Sequence, residues 1–262
     1  PVLTHSGYGV HARQIARWLL GRKDTNVKFV VTPWGDTPWF INPSDQDGFI
    51  GEVMKRSVDP KELSVIDASI QLQLPNEWNP KLAKINIGVT AAVETDRCHP
   101  DWVTACNSMD AVVFPSTHAR ASITNVGKLT KPNFVVPESF CKEILAPDVG
   151  PLNVEFDTSF NFLVFGQITG NNPDNDRKNI FYTVKWICEA FKNDPSVGIV
   201  LKTNSGRSSA IDRNITTNMM KQLLNEVRPG GVGPKLHLLH GEMSDSDVAS
   251  LYKHPTIKSL VT

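Results

Sequence analysis

Two glycines near the beginning of the chain have the spacing of a phosphate-binding loop. Gly7, Gly9 and Ala12 follow the pattern G-x-G-x-x-A, and a helix-like apolar stripe begins directly after them. Glycine lets the backbone approach a ligand closely, and the first turn of a helix favours an anion. The pattern predicts contact with the phosphates of a nicotinamide dinucleotide or of a sugar nucleotide. A plain glycine turn is the alternative.

The dinucleotide interpretation also requires an acidic residue at the end of the second strand, where it holds the ribose hydroxyls. Here the apolar segment 27–33 runs into Trp34, and the nearest acid, Asp36, lies beyond a Pro-Trp-Gly turn. The strand expected before the glycine loop is nearly absent as well. Both departures weaken the nicotinamide interpretation without removing it.

A pair of carboxylates follows the apolar segment 84–93. Glu94 and Asp96 would lie at the carboxyl end of a strand, where carboxylates orient sugar hydroxyls or assist proton transfer. Glu94 is therefore the candidate catalytic residue, and Asp96 is a candidate contact for the hydroxyl groups of a bound sugar. The alternative is that both residues cap the helix predicted at 100–109.

Basic residues open the first helix predicted in the second half of the chain. Arg177 and Lys178 would oppose the helix dipole unless an anion is bound there, so they are candidates for binding pyrophosphate. Asp174 and Asp176 offset part of their charge without any ligand. Lys202 closes the next strand and would face the same end of the sheet, with a solvent-facing lysine as the alternative.

Three other features complete the candidates. Trp34, in the Pro/Gly-rich loop 32–43, could stack on a sugar, although packing beneath the loop is the alternative. Two D-x-D patterns, at 174–176 and 245–247, lie where helix N-caps are expected, so we predict caps and no metal site. The cysteines lack C-x-x-C spacing, which indicates reduced structural thiols; they are Cys98, Cys106, Cys141 and Cys188.

Short apolar runs alternate with longer amphipathic segments along the whole chain. The predicted strands are 27–33, 64–70, 84–94, 110–116, 133–139, 160–166, 197–203, 235–239 and 257–262. The predicted helices are 9–22, 44–57, 100–109, 116–126, 178–193, 213–228 and 244–252. Such alternation predicts an α/β fold with parallel sheets covered on both faces. Segment 142–159 is predicted to be a linker between two Rossmann-like domains, 1–150 and 151–262, that face a cleft.

Composition narrows the classes of function. The chain has 262 residues, and its 27 basic and 27 acidic residues cancel, so no charge pattern indicates nucleic-acid binding. No apolar run approaches the ~18 residues of a membrane span, and no signal peptide is apparent. We therefore expect a cytoplasmic protein. The basic face of helix 9–22 suits a membrane surface or an acidic acceptor, with a solvated face as the alternative.

The order of these segments resembles that of the retaining nucleotide-sugar glycosyltransferases of the GT-B fold, in particular glycosyltransferase family 4. The S-G-Y-G loop at 6–9 leads into a helix, as in that family. Segment 94–120 is similar to its E-T-D, helix and V-x-x-P-S stretch. Segment 162–179 is similar to the strand, loop and basic helix that open its donor domain. Segment 239–254 is similar to its G-x-[LMV]-S-x-x-[DE]-[LV]-x-x-L-Y stretch.

The resemblance implies a hexosyltransferase that moves a sugar from a nucleoside-diphosphate sugar to a saccharide or lipid-linked acceptor, with retention and without a metal or further cofactor. It implies that the acceptor docks beside Glu94. The donor-binding residues that it implies are Gly7, Gly9, Arg177, Lys178, Lys202, Asn204, Glu242 and Met243. Among these, Lys178 would contact a donor phosphate, and Glu242 and Met243 would contact the nucleobase.

Two departures from the family pattern shape the expectation. Gly166-Gln167 stands where members commonly have Gly-Arg, so Arg177 is the candidate to replace the missing phosphate cation. The family's E-x7-E element would follow shortly after Thr262, so we expect an internal piece of a longer enzyme that is itself inactive. A nicotinamide-dependent oxidoreductase and a non-catalytic nucleotide- or sugar-binding module are the alternatives. The sequence does not predict the oligomeric state.

Overall fold

The computed structural model describes residues 1–63, 65–170, 172–204 and 208–261. They form two compact units, Pro1–Ser139 (unit 1) and Phe140–Thr262 (unit 2). Each unit contains a four-stranded sheet in which every strand pair is parallel. The predicted α/β class, with two Rossmann-like parallel sheets, is confirmed.

The described residues of unit 1 form four helices and four strands. The helices are α1 (Gly7–Leu20), α2 (Phe49–Lys55), α3 (Pro100–Ser108) and α4 (Thr117–Thr124). The strands, in the spatial order β1-β2-β3-β4, are β1 (Ala68–Leu72), β2 (Ile85–Val89), β3 (Ala111–Phe114) and β4 (Asn133–Val135). Short 3-10 turns lie at Pro60–Glu62 and Pro75–Glu77. One apolar cluster joins α1 to α2, and a second packs α3 and α4 against β3.

Helix α1 begins earlier than its apolar stripe indicated. Ser6 adopts an extended conformation, and its hydroxyl accepts a hydrogen bond from the backbone N–H of Gly9 at 2.9 Å. This N-cap satisfies one of the amide groups that a helix start leaves without a partner. The cap therefore places both motif glycines inside the first turn of the helix.

The predicted strand at 27–33 is wrong. Only Phe29 pairs with another segment, in an isolated parallel bridge to Ser57. Phe29 and Val31 pack on the cluster between α1 and α2, whereas Val30 is 39% exposed. Because only one side of the segment is covered and Pro33 cannot donate a hydrogen bond, the run does not enter a buried sheet.

Other strands of unit 1 are also shorter than predicted, among them β3, which spans Ala111–Phe114 where 110–116 was predicted. The segment predicted at 84–94 ends its pairing at Val89, and Ala92 then takes a left-handed backbone conformation with φ of 54°. The segment predicted at 133–139 pairs only as far as Val135. Ser64, where another strand was predicted to begin, lies outside the described residues, and β1 begins at Ala68.

Unit 2 follows the predicted alternation closely. Its strands are β5 (Phe160–Phe165), β6 (Val197–Thr203), β7 (Lys235–His240) and β8 (Ile257–Val261). Its helices are α5 (Ile180–Ala190), α6 (Ala210–Val227) and α7 (Asp245–Tyr252), with 3-10 turns at Lys142–Leu145 and Pro173–Asn175. The spatial order is β7-β6-β5-β8, and every residue of β6 is buried. Thr262, the predicted end of the last strand, lies outside the described residues.

The segment predicted to be a linker, 142–159, packs on unit 2. The backbone N–H of Leu152 donates to Ser250 in α7, and the Lys253 ammonium donates to the carbonyl of Val149. Phe156 is 9% exposed and lies in an apolar cluster of the unit. These contacts place the division between the units after residue 139 rather than at 150.

Among the described residues, no helix is both long enough and apolar enough to cross a membrane.

Candidate functional site

The strand order of unit 2 reverses between β5 and β8. In open α/β sheets, ligands bind at the carboxyl ends of the strands, at the point of this reversal. A cavity of about 90 Å³ lies there. The residues that line it are Val164 and Phe165 at the end of β5, Val261 at the end of β8, and Lys178, Ile180 and Thr183 at the start of α5. A wider hollow of about 600 Å³ is formed by residues 189–194 alone, which include no predicted site residue.

Asp176 builds the loop that leads into this cavity. Its carboxylate is 6% exposed and accepts hydrogen bonds from the backbone N–H and hydroxyl of Thr169 at 3.1 and 3.2 Å. The backbone N–H of Ile180 donates to its other oxygen at 2.6 Å. Asp176 therefore satisfies the first amide of α5, although the N-cap position that was predicted for the first D-x-D pattern belongs to Asn179, whose side chain forms no cap. Asp174 accepts a hydrogen bond from the Tyr182 hydroxyl at 2.9 Å.

Positive charge and an unpaired hydroxyl lie at this edge of the sheet. Lys178 lines the cavity with an exposed side chain, and the backbone N–H of Arg177 donates to the Thr169 hydroxyl at 3.0 Å. Thr203, the last residue of β6, is 2% exposed, and its hydroxyl oxygen has no hydrogen-bond partner in the described part of the chain. A buried polar group without a partner is costly, and a polar ligand would remove that cost.

Lys202 is buried, so the solvent-facing alternative is wrong. It is 3% exposed, and its ammonium donates to the Asn204 side-chain oxygen at 2.5 Å and to the carbonyl of Gly241 at 2.7 Å. The Phe165 ring centroid lies 5.6 Å from the same nitrogen. Burial lowers the pKa of Lys202, and the negative charge of Glu242 opposes that shift.

Glu242 belongs to the same network. Its Oε1 accepts hydrogen bonds from the Asn204 side-chain amide at 3.3 Å and from the Ser208 hydroxyl at 3.0 Å. The structure thus brings together three residues that the resemblance assigns to the donor, Lys202, Asn204 and Glu242. Met243 packs on an apolar cluster of unit 2.

In unit 1, the two motif glycines occupy different environments. A Cβ built on Gly9 would lie 2.1 Å from the carbonyl oxygen of Thr4, whereas one built on Gly7 would meet nothing within 4 Å. Close packing therefore explains Gly9 without a ligand. Of the described residues before α1, only Thr4 pairs like a strand, in an isolated antiparallel bridge to Trp39. The strand that a dinucleotide fingerprint needs is not formed there.

Sequence reasoning missed Tyr8, which lies between these glycines. Its hydroxyl is 3.1 Å from the Thr90 hydroxyl and accepts a hydrogen bond from the backbone N–H of Ala91 at 3.0 Å. Its ring stacks on half-buried Trp34, with centroids 4.0 Å apart and planes at 19°. Burial raises the pKa of Tyr8. Tyr8 thus ties α1 to the end of β2, and the only sequence signal was its place inside S-G-Y-G.

The predicted carboxylates lie in the loop after β2. Glu94 and Asp96 are both exposed, which fits access to a substrate. They are not the N-cap of α3, because that position is taken by His99, whose Nδ1 accepts from the backbone N–H of Asp101 at 3.3 Å.

The basic face of α1 is engaged within unit 1. Arg13 is 4% exposed and donates to the carbonyls of Val2 and Thr4 at 3.0 and 2.8 Å. The Arg17 guanidinium lies 4.0 Å from the Phe49 ring centroid. Arg13 is therefore neither solvated nor accessible to a membrane surface, and both interpretations of the basic face are wrong for this residue.

One group of metal-ligating atoms exists among the described residues. Cys141, Glu143 and Asp245 place a sulfur and two carboxylate oxygens within 4.8 Å of one another. Burial, together with the nearby carboxylates, raises the pKa of Cys141 to about 12. Asp247, in the second D-x-D pattern, forms a capping box with Ser244 at the start of α7, as predicted. All four cysteines are free thiols.

No protein-family model and no curated protein matches the sequence. The chain is similar to a solved structure described as an apo structure of OtsA, with a TM-score of 0.49 and 12% identity over 73% of this chain and 51% of that chain. It is also similar to the Glycosylation Associate Protein (Gap123) complex from Streptococcus agalactiae, with a TM-score of 0.36 and 12% identity over 83% and 41%. The chain spans about half the length of the first of these proteins.

Proposed function

We propose that this protein is a glycosyltransferase of the family 4 type that takes its sugar from a nucleoside-diphosphate sugar. The observation that carries the proposal is the cavity at the reversal of strand order in unit 2, with Lys178 on its wall and the start of α5 beside it. Parallel sheets bind nucleotides at this position, and the positive end of a helix dipole favours phosphate there.

The charges at the cavity suit the leaving group of the reaction. Breaking a sugar–phosphate bond leaves negative charge on the nucleoside diphosphate. In the proposed reaction, the Lys178 ammonium stabilises that charge without a metal ion, together with first-turn amide groups of α5 other than that of Ile180, which already donates to Asp176. Arg177 adds a second positive side chain, and the Thr203 hydroxyl supplies a buried polar group that has no other partner in the described chain.

The acceptor half of the proposal rests on unit 1. Exposed Glu94 follows β2, whose end is held to α1 by Tyr8, and Trp34 stacks on that tyrosine. In the proposed reaction, Glu94 orients an acceptor hydroxyl or assists its proton transfer, and the sugar is transferred with retention. The acceptor is a saccharide or a lipid-linked saccharide. Asp96 lies in the same loop and is the second candidate contact.

Thermal unfolding with and without ligand tests the donor site. UDP, GDP and ADP are each added to the wild-type chain, to Lys178→Ala and to Lys185→Ala, a half-buried lysine further along α5 that pairs with Glu189. A diphosphate at about 100 times its Kd stabilises its protein by about 2.7 kcal/mol. We expect protection of the wild type and of Lys185→Ala, and its loss in Lys178→Ala.

Other outcomes would redirect the proposal. Equal protection of all three proteins would remove Lys178 from the site. Protection by NADH, with none by any nucleoside diphosphate, would favour the oxidoreductase. Incubation with labelled sugar nucleotides then separates an enzyme from a binding module, because the module binds the donor without releasing or transferring the sugar.

A further inference from the structure

We infer that Lys202 is a positioning residue that fixes the turn after β7, and through it the Glu242 carboxylate, without touching the donor phosphates. The part of this inference that concerns the nucleoside rests on the proposed function. The part that concerns the turn stands on the contacts of unit 2 alone.

The burial of Lys202 argues against direct contact with a ligand. It lies in the central part of the sheet, in register with Phe165 of β5 and Leu239 of β7, and is 3% exposed. Its ammonium already donates to two oxygens, on Asn204 and Gly241. A phosphate that used the third N–H of this ammonium would have to enter a buried site, so Lys202 acts through the two partners that it already has.

Gly241 is held to β6 from both sides. Its carbonyl accepts from Lys202 at 2.7 Å, and its backbone N–H donates to the carbonyl of Thr203 at 3.2 Å. Its φ of 118° lies in a region that glycine adopts readily and other residues rarely do. These two hydrogen bonds hold the turn in one conformation. They therefore also fix the backbone direction at Glu242, the next residue.

A second connection runs through side chains. Lys202 donates to Asn204, Asn204 donates to Glu242, and Ser208 donates to the same Glu242 oxygen. The exposed carboxylate is thus oriented by a chain of hydrogen bonds that begins at a buried charge. Such a carboxylate accepts N–H and O–H groups, which a ribose or a base carries and a phosphate does not.

The distance across the sheet fits a nucleoside diphosphate. Strand β7 lies two strands from β5, which is about 10 Å at the usual spacing between strands. With its phosphates beside Lys178 at the end of β5, the nucleoside would reach the end of β7. Phe165 lines the phosphate cavity together with Lys178 and also lies against the Lys202 ammonium, so this ring is a neighbour of both lysines.

The experiment compares four variants with the wild-type chain. Lys202→Met keeps the apolar stem and removes the charge, and Glu242→Gln changes an exposed carboxylate. Lys178→Ala removes the proposed phosphate contact, and Lys185→Met removes a half-buried lysine outside the turn as a control. Amide hydrogen exchange of residues 241–244 reports on the turn. Calorimetric titration with pyrophosphate, UDP, GDP and ADP reports on the donor site. Asn204→Ala replaces Lys202→Met should the latter fail to fold.

We expect Lys202→Met to speed exchange at 241–244 by about tenfold or more and to leave exchange at 180–183 unchanged. Its Kd for pyrophosphate should stay within about twofold of the wild-type value. The ratio between the largest and the smallest Kd among the three nucleoside diphosphates should fall by about tenfold. Glu242→Gln should lower that ratio of Kd values as well, and it should leave amide exchange at residues 241–244 unchanged. Lys178→Ala should weaken binding of all four ligands alike.

Unchanged exchange at 241–244 in Lys202→Met would overturn the positioning role. An equal loss of pyrophosphate affinity in Lys202→Met and Lys178→Ala would make Lys202 a phosphate ligand and overturn it as well. If the wild type binds none of the four ligands, the proposed function and the nucleoside part of the inference fail, and the exchange measurement alone decides whether Lys202 holds the turn.

Discussion

The carbonyl oxygen of Thr4 occupies the space that a side chain on residue 9 would need, because a Cβ built on Gly9 would lie 2.1 Å from it. That oxygen also accepts a hydrogen bond from buried Arg13 at 2.8 Å. A shift of the Thr4 carbonyl to admit a side chain would therefore also break this hydrogen bond. At Gly7 a Cβ would meet nothing within 4 Å. Close packing therefore requires a glycine at position 9 but not at position 7.

Alanine substitutions at the two positions test this difference in packing. Gly9→Ala should lower the free energy of unfolding by more than about 2 kcal/mol, because the backbone must shift to admit the methyl group. Gly7→Ala should leave stability unchanged or raise it by up to about 1 kcal/mol, because alanine restricts the unfolded chain. Urea unfolding followed by fluorescence measures both. Equal losses for the two variants would contradict the contact described for Gly9.

The Asp176 carboxylate should matter more to unit 2 than its neighbour in the same D-x-D pattern. Asp176→Ala leaves the donors of Thr169 and Ile180 without their acceptor, and we expect a loss of about 2 kcal/mol or more. Asp174→Ala removes one surface contact, to Tyr182, and should cost less than about 0.5 kcal/mol. Thermal unfolding of both variants checks this order, and the reverse order would argue against the cap.

Tyr8 joins α1 to the end of β2, so its hydroxyl should stabilise unit 1. Tyr8→Phe should cost about 1 kcal/mol through the lost contacts with Thr90 and Ala91. Tyr8→Leu should cost about 1 kcal/mol more, because the stack on Trp34 is lost as well. Tyr252→Phe, in unit 2, is the matched control. The near-ultraviolet circular dichroism of Tyr8→Leu should also change, and an unaltered spectrum would be evidence against the stack.

His11 should make stability depend on pH. Burial lowers its pKa below the ordinary 6.5, although Glu138, 3.4 Å away, opposes the shift. Between the folded-state pKa and 6.5, the unfolded chain binds the proton more readily than the folded chain does. Stability is therefore full above pH 6.5, falls as the pH decreases through that window, and levels off below the folded-state pKa.

The test compares the pH dependence of wild type and His11→Gln in urea unfolding at pH 7.5 and 5.5. Burial also lowers the pKa of His237 in unit 2, and that residue is present in both proteins. The difference between the two curves therefore reports on His11. We expect His11→Gln to lose less stability than the wild type on acidification, and parallel curves would contradict the direction of the shift.

Local sequence patterns were sufficient to predict the helices, strands and caps wherever the neighbours of a residue in sequence are also its neighbours in space. The elements of unit 2 lie within a few residues of their predicted bounds, because continuous apolar runs such as β6 leave few other ways to bury them. The second D-x-D pattern was predicted correctly to lie at the start of a helix, where Asp247 forms a capping box with the N-cap Ser244.

Contacts between distant segments could not be inferred this way. The run 27–33 has the composition of a buried strand, yet only one of its sides finds a partner. The linker at 142–159 has the composition of a loop, yet α7 holds it in unit 2. In both cases the outcome depends on which surface reaches the segment, and periodicity carries no information about that surface.

The sequence by itself determined the α/β class, the order of most elements and which polar residues follow each strand, since all of these depend on local periodicity and turn chemistry. Only the tertiary structure decided what those residues do. It buried Lys202 and joined it to Gly241, 39 residues away, and it joined the Tyr8 hydroxyl to that of Thr90, 82 residues away. The energy of such contacts arises from packing between elements, and no short stretch of sequence contains both partners together with the space between them.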